Sequence, residues 1–461
     1  MDQDETEKKE ELPMLNEMKW DATENVPALQ DYPSKLFVET TTHCNLRCPM
    51  CVKQSEDCRI IDGDMSRELF VEIEPAFHQL GALVLNGIGE PLMHPHILEF
   101  IRRARKLMPD TGWIGFQSNG LLLDQKCAHA LANSGLDRLC LSVDGVLPET
   151  FSRVRKGEEL SDMEQALSSL AVARREHPAT RLKLGIEFVV MEENKSQLPG
   201  ALRWASELGV DFAIVSQSLP YSAVYADQVA YSNSTDQAVE IFTRWKDKMA
   251  QEGLDIYRYD SLARANGRHM SSLVDPRLAK VIGMVDEMRA EAHRKGVFLD
   301  VLRLLQRNTE QAAELQDIFS AAQKVAEDTG IDLELPAAVP NYERKCPFVE
   351  DGSAFISWDG AVHPCYFLWH QFRCFVNDWD RMIKPKLFGR LKEKPLLEIW
   401  QSEEFIQFRR NVLEFDYPYC SNCGVAPCDL VQADDFEQDC FTRVEPCGAC
   451  PWAMGLLQCL Q

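Results

Sequence analysis

The chain has 461 residues, 45% hydrophobic and 26% charged, enough for two or three globular domains with cores of their own. A formal net charge of −23 excludes the basic surface that nucleic-acid or anionic-membrane partners require. No apolar run reaches the roughly 18 residues of a membrane span, and the opening MDQDETEKKEEL is acid-rich where a secretory signal would be apolar, so a cytoplasmic location is expected.

Residues 1–34 are polar, hold Pro27 and Pro33 and show no sustained period, which reads as a mobile acidic tail. From Lys35 onward β-branched runs alternate with amphipathic stretches. They predict strands near 35–41, 82–87, 113–117, 138–143, 182–190 and 211–216, each followed by a helix. Six such units predict an α/β fold over 35–217, a parallel sheet curling into a partial (βα)6 TIM-like barrel. Residues 218–340 read as a helical insertion or bridge with helices over 235–252, 275–293 and 297–329, the last stopped by Gly330. The prolines of ELPAAVPN, 334–341, mark a linker into a cysteine-rich region over 341–461.

Sixteen cysteines in a reducing compartment point to metal ligands before disulfides. Cys44, Cys48 and Cys51 stand together in TTTHCNLRCPMCVKQ, none lies between 141 and 345, and ten follow from Cys346. That distribution separates two metal-binding regions. Cys58, Cys127 and Cys140 read as structural thiols.

The spacing Cys44-x3-Cys48-x2-Cys51 directly follows the first strand, which puts three thiolates at the strand's C-terminal end, where barrel enzymes carry their active sites. A 4Fe–4S cube needs four ligands, so three leave one iron open. An open iron can chelate the amino and carboxylate groups of S-adenosylmethionine (SAM), and one electron then cleaves the sulfur–C5′ bond to give a radical that abstracts hydrogen from a substrate. Zinc sites prefer C-x2-C pairs.

The motif, together with the later strand ends, resembles the radical SAM superfamily over residues 35 to 217. Members commonly carry an aromatic residue before the third cysteine, where this chain has Met50, whose thioether can also pack on an adenine. Asn86-Gly87-Ile88-Gly89-Glu90-Pro91 resembles the family's GGE(P) motif for the SAM amino group, and Ser118-Asn119-Gly120 its ribose-contacting turn. Ser142-Val143-Asp144-Gly145, then Arg155 and Gly157, resemble S(L/I)DG and R-x-G, with Arg155 suited to the SAM carboxylate. Asn194 matches another recurring polar position. Singly, each of these also fits an ordinary cap or turn.

The late cysteines resemble the SPASM extension of radical SAM maturases, which binds two auxiliary 4Fe–4S clusters. Cys346-x13-Gly360-x4-Cys365 fits the family's first half, whereas Cys420-x2-Cys423-x4-Cys428, Cys440, Cys447-x2-Cys450 and Cys459 depart from its second half. The family's interleaved pattern implies Cys346, Cys365 and Cys440 for the first auxiliary cluster. It implies Cys420, Cys423, Cys428 and either Cys447 or Cys459 for the second. Structural zinc is the alternative, because C-x2-C pairs suit it.

SPASM proteins mostly act on peptides or proteins, which implies such a substrate and a low-potential electron donor such as ferredoxin or flavodoxin. Anaerobic sulfatase maturases, which make formylglycine, place an aspartate base after the second auxiliary cysteine. Here Tyr366 follows Cys365 and cannot serve as a carboxylate base near neutral pH. The opening KLFVETTTHCNLRCPMCVKQ, the helical insertion and the ending CGACPWAMGLLQC are more similar to the metalloenzyme-maturase subgroup related to tungsten-cofactor oxidoreductase maturases, so a partner metalloenzyme is expected. A multi-cluster electron-transfer protein and a zinc-bearing interaction module are the readings from other classes.

Overall fold

Strands β1 Lys35–Val38, β2 Ala82–Val84, β3 Trp113–Ser118, β4 Arg138–Ser142, β5 Lys183–Val190 and β6 Phe212–Gln217 pair in chain order, all parallel. The computed structural model describes residues 26–55, 58–260, 276–306, 309–376, 379–420 and 438–460, so most of the tail expected over 1–34 lies outside the described residues.

The register sorts the side chains. Leu36, Leu83, Ile114, Phe116, Leu139, Leu141, Leu184, Ile186 and Phe188 fall on one face, all essentially without exposed surface, as expected where helices cover a parallel sheet. The opposite face lines the barrel lumen in layers. Gln117 stands beside Cys140, Cys140 beside Gly185, and Ser142 beside Glu187. Lys35, Trp113, Arg138 and Glu334 make the floor, with the Arg138 guanidinium 4.2 Å over the Trp113 ring.

The crossover helices are α1 Arg67–Ile73, α2 Ile97–Leu107, α3 Gln125–Ala132, α4 Pro148–Val154, α5 Leu160–Glu176 and α6 Leu198–Glu207. Ser66 and Asp124 cap the first and third by accepting from the backbone N–H groups of Leu69 and Cys127.

The insertion differs from the expected three helices. Helix α7, Asp236–Gln251, and the helix Pro276–Arg294 agree with expectation, but the segment 297–329 forms two helices, Val301–Gln306 and Thr309–Thr329. Their apolar faces serve different cores. Val301 and Leu304 join Phe242, Trp245, Met249, Val285 and Met288 in a cluster separate from the barrel. Leu315, Phe319, Ala322 and Val325 belong to the barrel core, and their helix packs on α6. One straight helix cannot present a stripe to both. The second helix leads into β7, Asp332–Glu334, which adds parallel to β6 just ahead of the expected linker.

The cysteine-rich region is built onto the barrel. Its β8, Ser353–Ile356, pairs parallel with β1; β9, Ala361–His363, turns back antiparallel, and β12, Gly389–Arg390, extends that edge. The turn between β8 and β9 uses Gly360 at φ +84°, a left-handed conformation costly for any residue with a Cβ. Strands β10, Phe372–Val376, and β11, Trp379–Ile383, form a separate hairpin. The C-terminal segment returns to the barrel: Gln217 N–H donates to the Leu456 carbonyl (3.0 Å) and Gln458 N–H to Ser216 Oγ (3.1 Å).

The two cores predict separable losses. Phe242→Ala should cost about 3–5 kcal/mol and speed amide exchange across 236–306 while β1–β6 stay protected. Phe319→Ala should instead loosen α6 and the strands beside it. Equal loss of protection in both regions for both variants would show a single cooperative core.

Candidate active site at the C-terminal strand ends

The cysteine loop leaves β1 through Thr40, Thr41 and Thr42, all buried. Thr42 Oγ1 accepts from Gly63 N–H (2.8 Å), Met65 N–H donates to the Thr40 carbonyl (2.8 Å), and Lys53 Nζ donates to the Thr42 carbonyl (2.7 Å). The loop after β2 closes on it from the other side. Glu90 N–H donates to the His43 carbonyl (2.7 Å) and Gly89 N–H to that of Thr41 (3.2 Å). A Cβ on Gly89 would stand 2.6 Å from the His43 oxygen and closer still to that of Thr41, so this approach requires glycine.

The three thiols are close enough to oppose one another's ionisation. Burial pushes Cys51 up to about 11, with the Cys48 and Cys44 charges adding. Burial also raises Cys44 and Cys48, while Arg155 acts in the opposite direction on both. The free thiols are therefore protonated at neutral pH, and binding iron would take them as thiolates with release of protons.

Arg155 sits beside this loop with little exposed surface. Its Nη1 donates to Asp144 Oδ2 (3.3 Å), and its Nε lies 3.5 Å from Glu158 Oε2. Burial works against its charge, but Cys48, Asp144 and Glu158 outweigh that and hold its pKa above the ordinary range. Burial pushes Glu158 up to about 7, the Arg155 charge opposing.

Several expected SAM contacts turn out to brace the site from within. Glu90 is buried and accepts from Ser118 Oγ (2.8 Å), Leu92 N–H (3.0 Å) and Asn119 N–H (2.7 Å), using three of its about four acceptor positions. Pro91 opens the short turn that follows. Asp144 also accepts from Val189 N–H (2.8 Å). The Asn194 amide donates to the Asp144 and Val189 carbonyls and accepts from Met191 N–H, so it locks β4 to β5 and has no free proton to offer. Asn119 reaches the cysteine loop, donating to Asn45 Oδ1 (2.7 Å) with Cys44 Sγ at 3.9 Å. Met50 and Ser142 are half-buried. Gly87 packs against the Glu39 side chain so closely that a Cβ would displace it.

Glu39, Glu187 and His370 belong to the upper lumen and were missed from sequence. Glu39 ends an apolar run, KLFVE, and that isolated acid was the available signal. It has no exposed surface, accepts from Ile88 N–H (3.2 Å) and Trp358 N–H (3.4 Å), and pairs with His370 Nε2 at 3.1 Å. Burial, with the Asp144 charge adding, pushes Glu187 up to about 7, although a hydrogen bond from Gln117 opposes the shift. Asn86 bonds Gln117 across neighbouring strands. Tyr366 is ringed by Phe37, Phe355 and Trp369 at centroid distances of 5.0, 5.1 and 5.0 Å. Burial pushes its phenol well above the ordinary range.

In the C-terminal region the buried Cys365, Cys447 and Cys450 and the half-buried Cys346 form one group, in which a Cys450 thiolate would raise the pKa of the other three. Cys459 neighbours Cys365 and Tyr366. This differs from the expected assignment. Cys440 is exposed on a turn that Asp439 organises through the Phe441 and Arg443 N–H groups, while Cys447 and Cys450 stand with Cys346 and Cys365. Cys420 lies on the other side of Arg344, and Cys423 and Cys428 lie outside the described residues. Cys374 is buried in the β10–β11 hairpin. Among the described residues no three His, Cys, Asp or Glu side chains converge tightly enough for a single metal ion.

Residues 38–205 match the sequence model of the radical SAM superfamily, and residues 346–424 that of the SPASM iron–sulfur cluster-binding domain. The chain is 28% identical over 430 residues to a tungsten-containing aldehyde ferredoxin oxidoreductase cofactor-modifying protein of Pyrococcus furiosus, covering 92% of this chain and 96% of that one. It is 23% identical over 394 residues to an Fe-coproporphyrin III synthase of Methanosarcina barkeri, covering 83% and 78%. It is 26% identical over 225 residues to a PqqA peptide cyclase of Gluconobacter oxydans, covering 49% and 60%.

Gly89→Ala should distort the contact between the β1 and β2 loops, destabilise the protein by about 1–3 kcal/mol and lower the iron held near Cys44. A wild-type iron-to-protein ratio would show that the close approach is dispensable. Glu187 generates a pH dependence. Between its ordinary 4.5 and about 7 the folded state keeps a proton that the unfolded state has released, so stability falls as pH rises through that window and is level above it. Glu187→Gln should flatten the decline and stabilise the protein above about pH 8 by on the order of 3 kcal/mol. Urea midpoints falling equally in both proteins would contradict this.

Proposed function

The chain belongs to the radical SAM superfamily and carries a SPASM-type iron–sulfur domain, and from that premise we propose that it is the maturase of a partner metalloenzyme, modifying a peptide or protein segment at its metal site. The observation that carries the reading is the similarity to the Pyrococcus furiosus cofactor-modifying protein, which runs through the barrel, the insertion and the cysteine-rich region alike. The PqqA peptide cyclase likeness supports a peptide or protein as the class of substrate.

Cys44, Cys48 and Cys51 are the residues suited to hold the SAM-binding 4Fe–4S cluster, which when reduced supplies the electron that cleaves SAM to the hydrogen-abstracting 5′-deoxyadenosyl radical. Met50, Ser118, Asn119, Ser142 and Arg155 lie at the strand ends around that loop and are the proposed SAM contacts, with Arg155 toward the carboxylate. Gly87, Gly89, Glu90, Pro91, Asp144 and Asn194 hold those groups in position. The rigidity has a purpose: small misplacement of a hydrogen donor costs orders of magnitude in rate. Ferredoxin or flavodoxin is the proposed electron donor, and the cytoplasm the proposed location. Among the described residues no helix is long and apolar enough to cross a membrane.

The upper lumen is rich in acceptors, with Glu39 and Glu187 near Tyr366 and with Gln117 and Ser142 beside Glu187, and suits a polar substrate group. Tyr366, which follows Cys365 in sequence, has a protonated phenol, which argues against formylglycine formation by a base at that position.

Anaerobic, reduced protein given SAM should release 5′-deoxyadenosine, and Cys48→Ala should release none. Mass spectrometry of metalloenzyme partners incubated with the wild-type protein should then find a changed residue that the Cys48→Ala incubation lacks. Absence of 5′-deoxyadenosine from iron-replete wild-type protein, with or without those partners, would sink the assignment.

A further inference from the structure

Arg344 stands where three cysteine-bearing segments meet. It lies two residues before Cys346. Its Nη2 donates to the Tyr417 carbonyl (2.7 Å) and its Nη1 to that of Pro418 (2.8 Å), both just ahead of Cys420. The same Nη1 reaches the Gly448 carbonyl at 3.4 Å, inside the turn from Cys447 to Cys450. A Cβ on Gly448 would stand 2.5 Å from the Pro418 oxygen, so the two segments are in direct contact at this point. The guanidinium is held flat, 3.9 Å from the Tyr419 ring centroid and 4.7 Å from that of Phe415. Tyr419 in turn stacks on Tyr342 at 4.5 Å.

This is an arginine-specific seat. A planar fork can serve two or three carbonyls while its faces lie against rings; a lysine ammonium can do one of these at a time. Among the described residues no carboxylate bonds this half-buried guanidinium; its hydrogen bonds go to the three carbonyls. Arg344 is close enough to Cys450 to favour that thiolate, and Cys420 in turn acts on Arg344.

We propose that Arg344 is a positioning and potential-setting residue of the auxiliary clusters: it fixes the Cys420 segment against the Cys447–Cys450 turn, and its charge makes both clusters easier to reduce. The proposal rests on the assignment of the Cys346, Cys365, Cys447 and Cys450 group and the Cys420 segment to those clusters. Adding an electron to a cluster increases its negative charge, and a fixed cation in a low-dielectric surround favours that state. Hydrogen bonds and charge just outside the ligands set the potential as much as the ligands themselves. No proton or group is transferred; the effect is on the equilibrium of one electron.

The test uses the full chain, reconstituted anaerobically with iron and sulfide, with Cys44, Cys48 and Cys51 changed to alanine so that only auxiliary clusters contribute. An electron-paramagnetic-resonance redox titration is compared for Arg344, Arg344→Lys and Arg344→Gln. Expected is full auxiliary iron in all three, with the reduced-to-oxidised ratio at a fixed potential falling about tenfold in Arg344→Gln, equivalent to about 59 mV for one electron. Arg344→Lys should recover most of that ratio. Wild-type potentials in Arg344→Gln would overturn the proposal. So would loss of auxiliary iron from both variants, because the residue would then be a structural staple alone. Auxiliary iron absent from the Arg344 protein itself would count against the cluster assignment, and is read independently of the variants.

Discussion

Glu39 is the constraint on which the two halves of the molecule depend. A carboxylate with no exposed surface needs partners on every side, and each partner comes from a different segment: the β2 loop through Ile88, the β8–β9 turn through Trp358, and the cysteine-rich region through His370. Its own chain continues into the cysteine loop five residues later. The position of Cys44 is thereby referenced to the region that holds Cys365, and barrel and C-terminal region share one frame. Removing a single partner would leave a buried charge short of donors, a larger penalty than the loss of one ordinary hydrogen bond.

The electrostatics of the site follow from the same enclosure. The thiols of both cysteine groups, Glu158 and Glu187 are all pushed toward their neutral forms by burial. Against them stand Arg155, buried near the first cysteine group, and Arg344, half-buried near the second. Two cations of this acidic chain thus stand beside its cysteine groups. There the charge of bound clusters and of the SAM carboxylate would otherwise be uncompensated.

Much of this was legible in the sequence, and the reasons for success and failure differ by element. The six parallel strands were readable because each is an apolar run bounded by turn residues, and the cysteine triplet because its spacing is unlike that of zinc sites. Strands β7 and β8 were not: their pairing with β6 and β1 is set by contacts more than a hundred residues away in the chain, which no local pattern carries. The 297–329 helix was misjudged because a continuous helical pattern does not reveal that its two ends face different cores. Glu90, Asp144 and Asn194 were identified at the correct strand ends, but composition cannot say that their hydrogen-bonding capacity is largely spent on the backbone around them. The grouping of Cys447 and Cys450 with Cys346 and Cys365 depends on how the chain folds back, which spacing does not encode.

The two outer strands of the six-stranded core are covered by segments that lie far downstream, β6 by β7 and β1 by β8. During synthesis the N-terminal 217 residues therefore emerge as a sheet with two open edges, each a template for pairing with another chain. Both edges stay open until residues 332–356 have left the ribosome, so the vulnerable interval scales with the length of the insertion between them. An insertion that packs a core of its own, as its helices Asp236–Gln251, Pro276–Arg294 and Val301–Gln306 do, can fold during that interval without competing for the edges. Vectorial folding thus gives the second hydrophobic cluster a role during synthesis, apart from any in the finished enzyme.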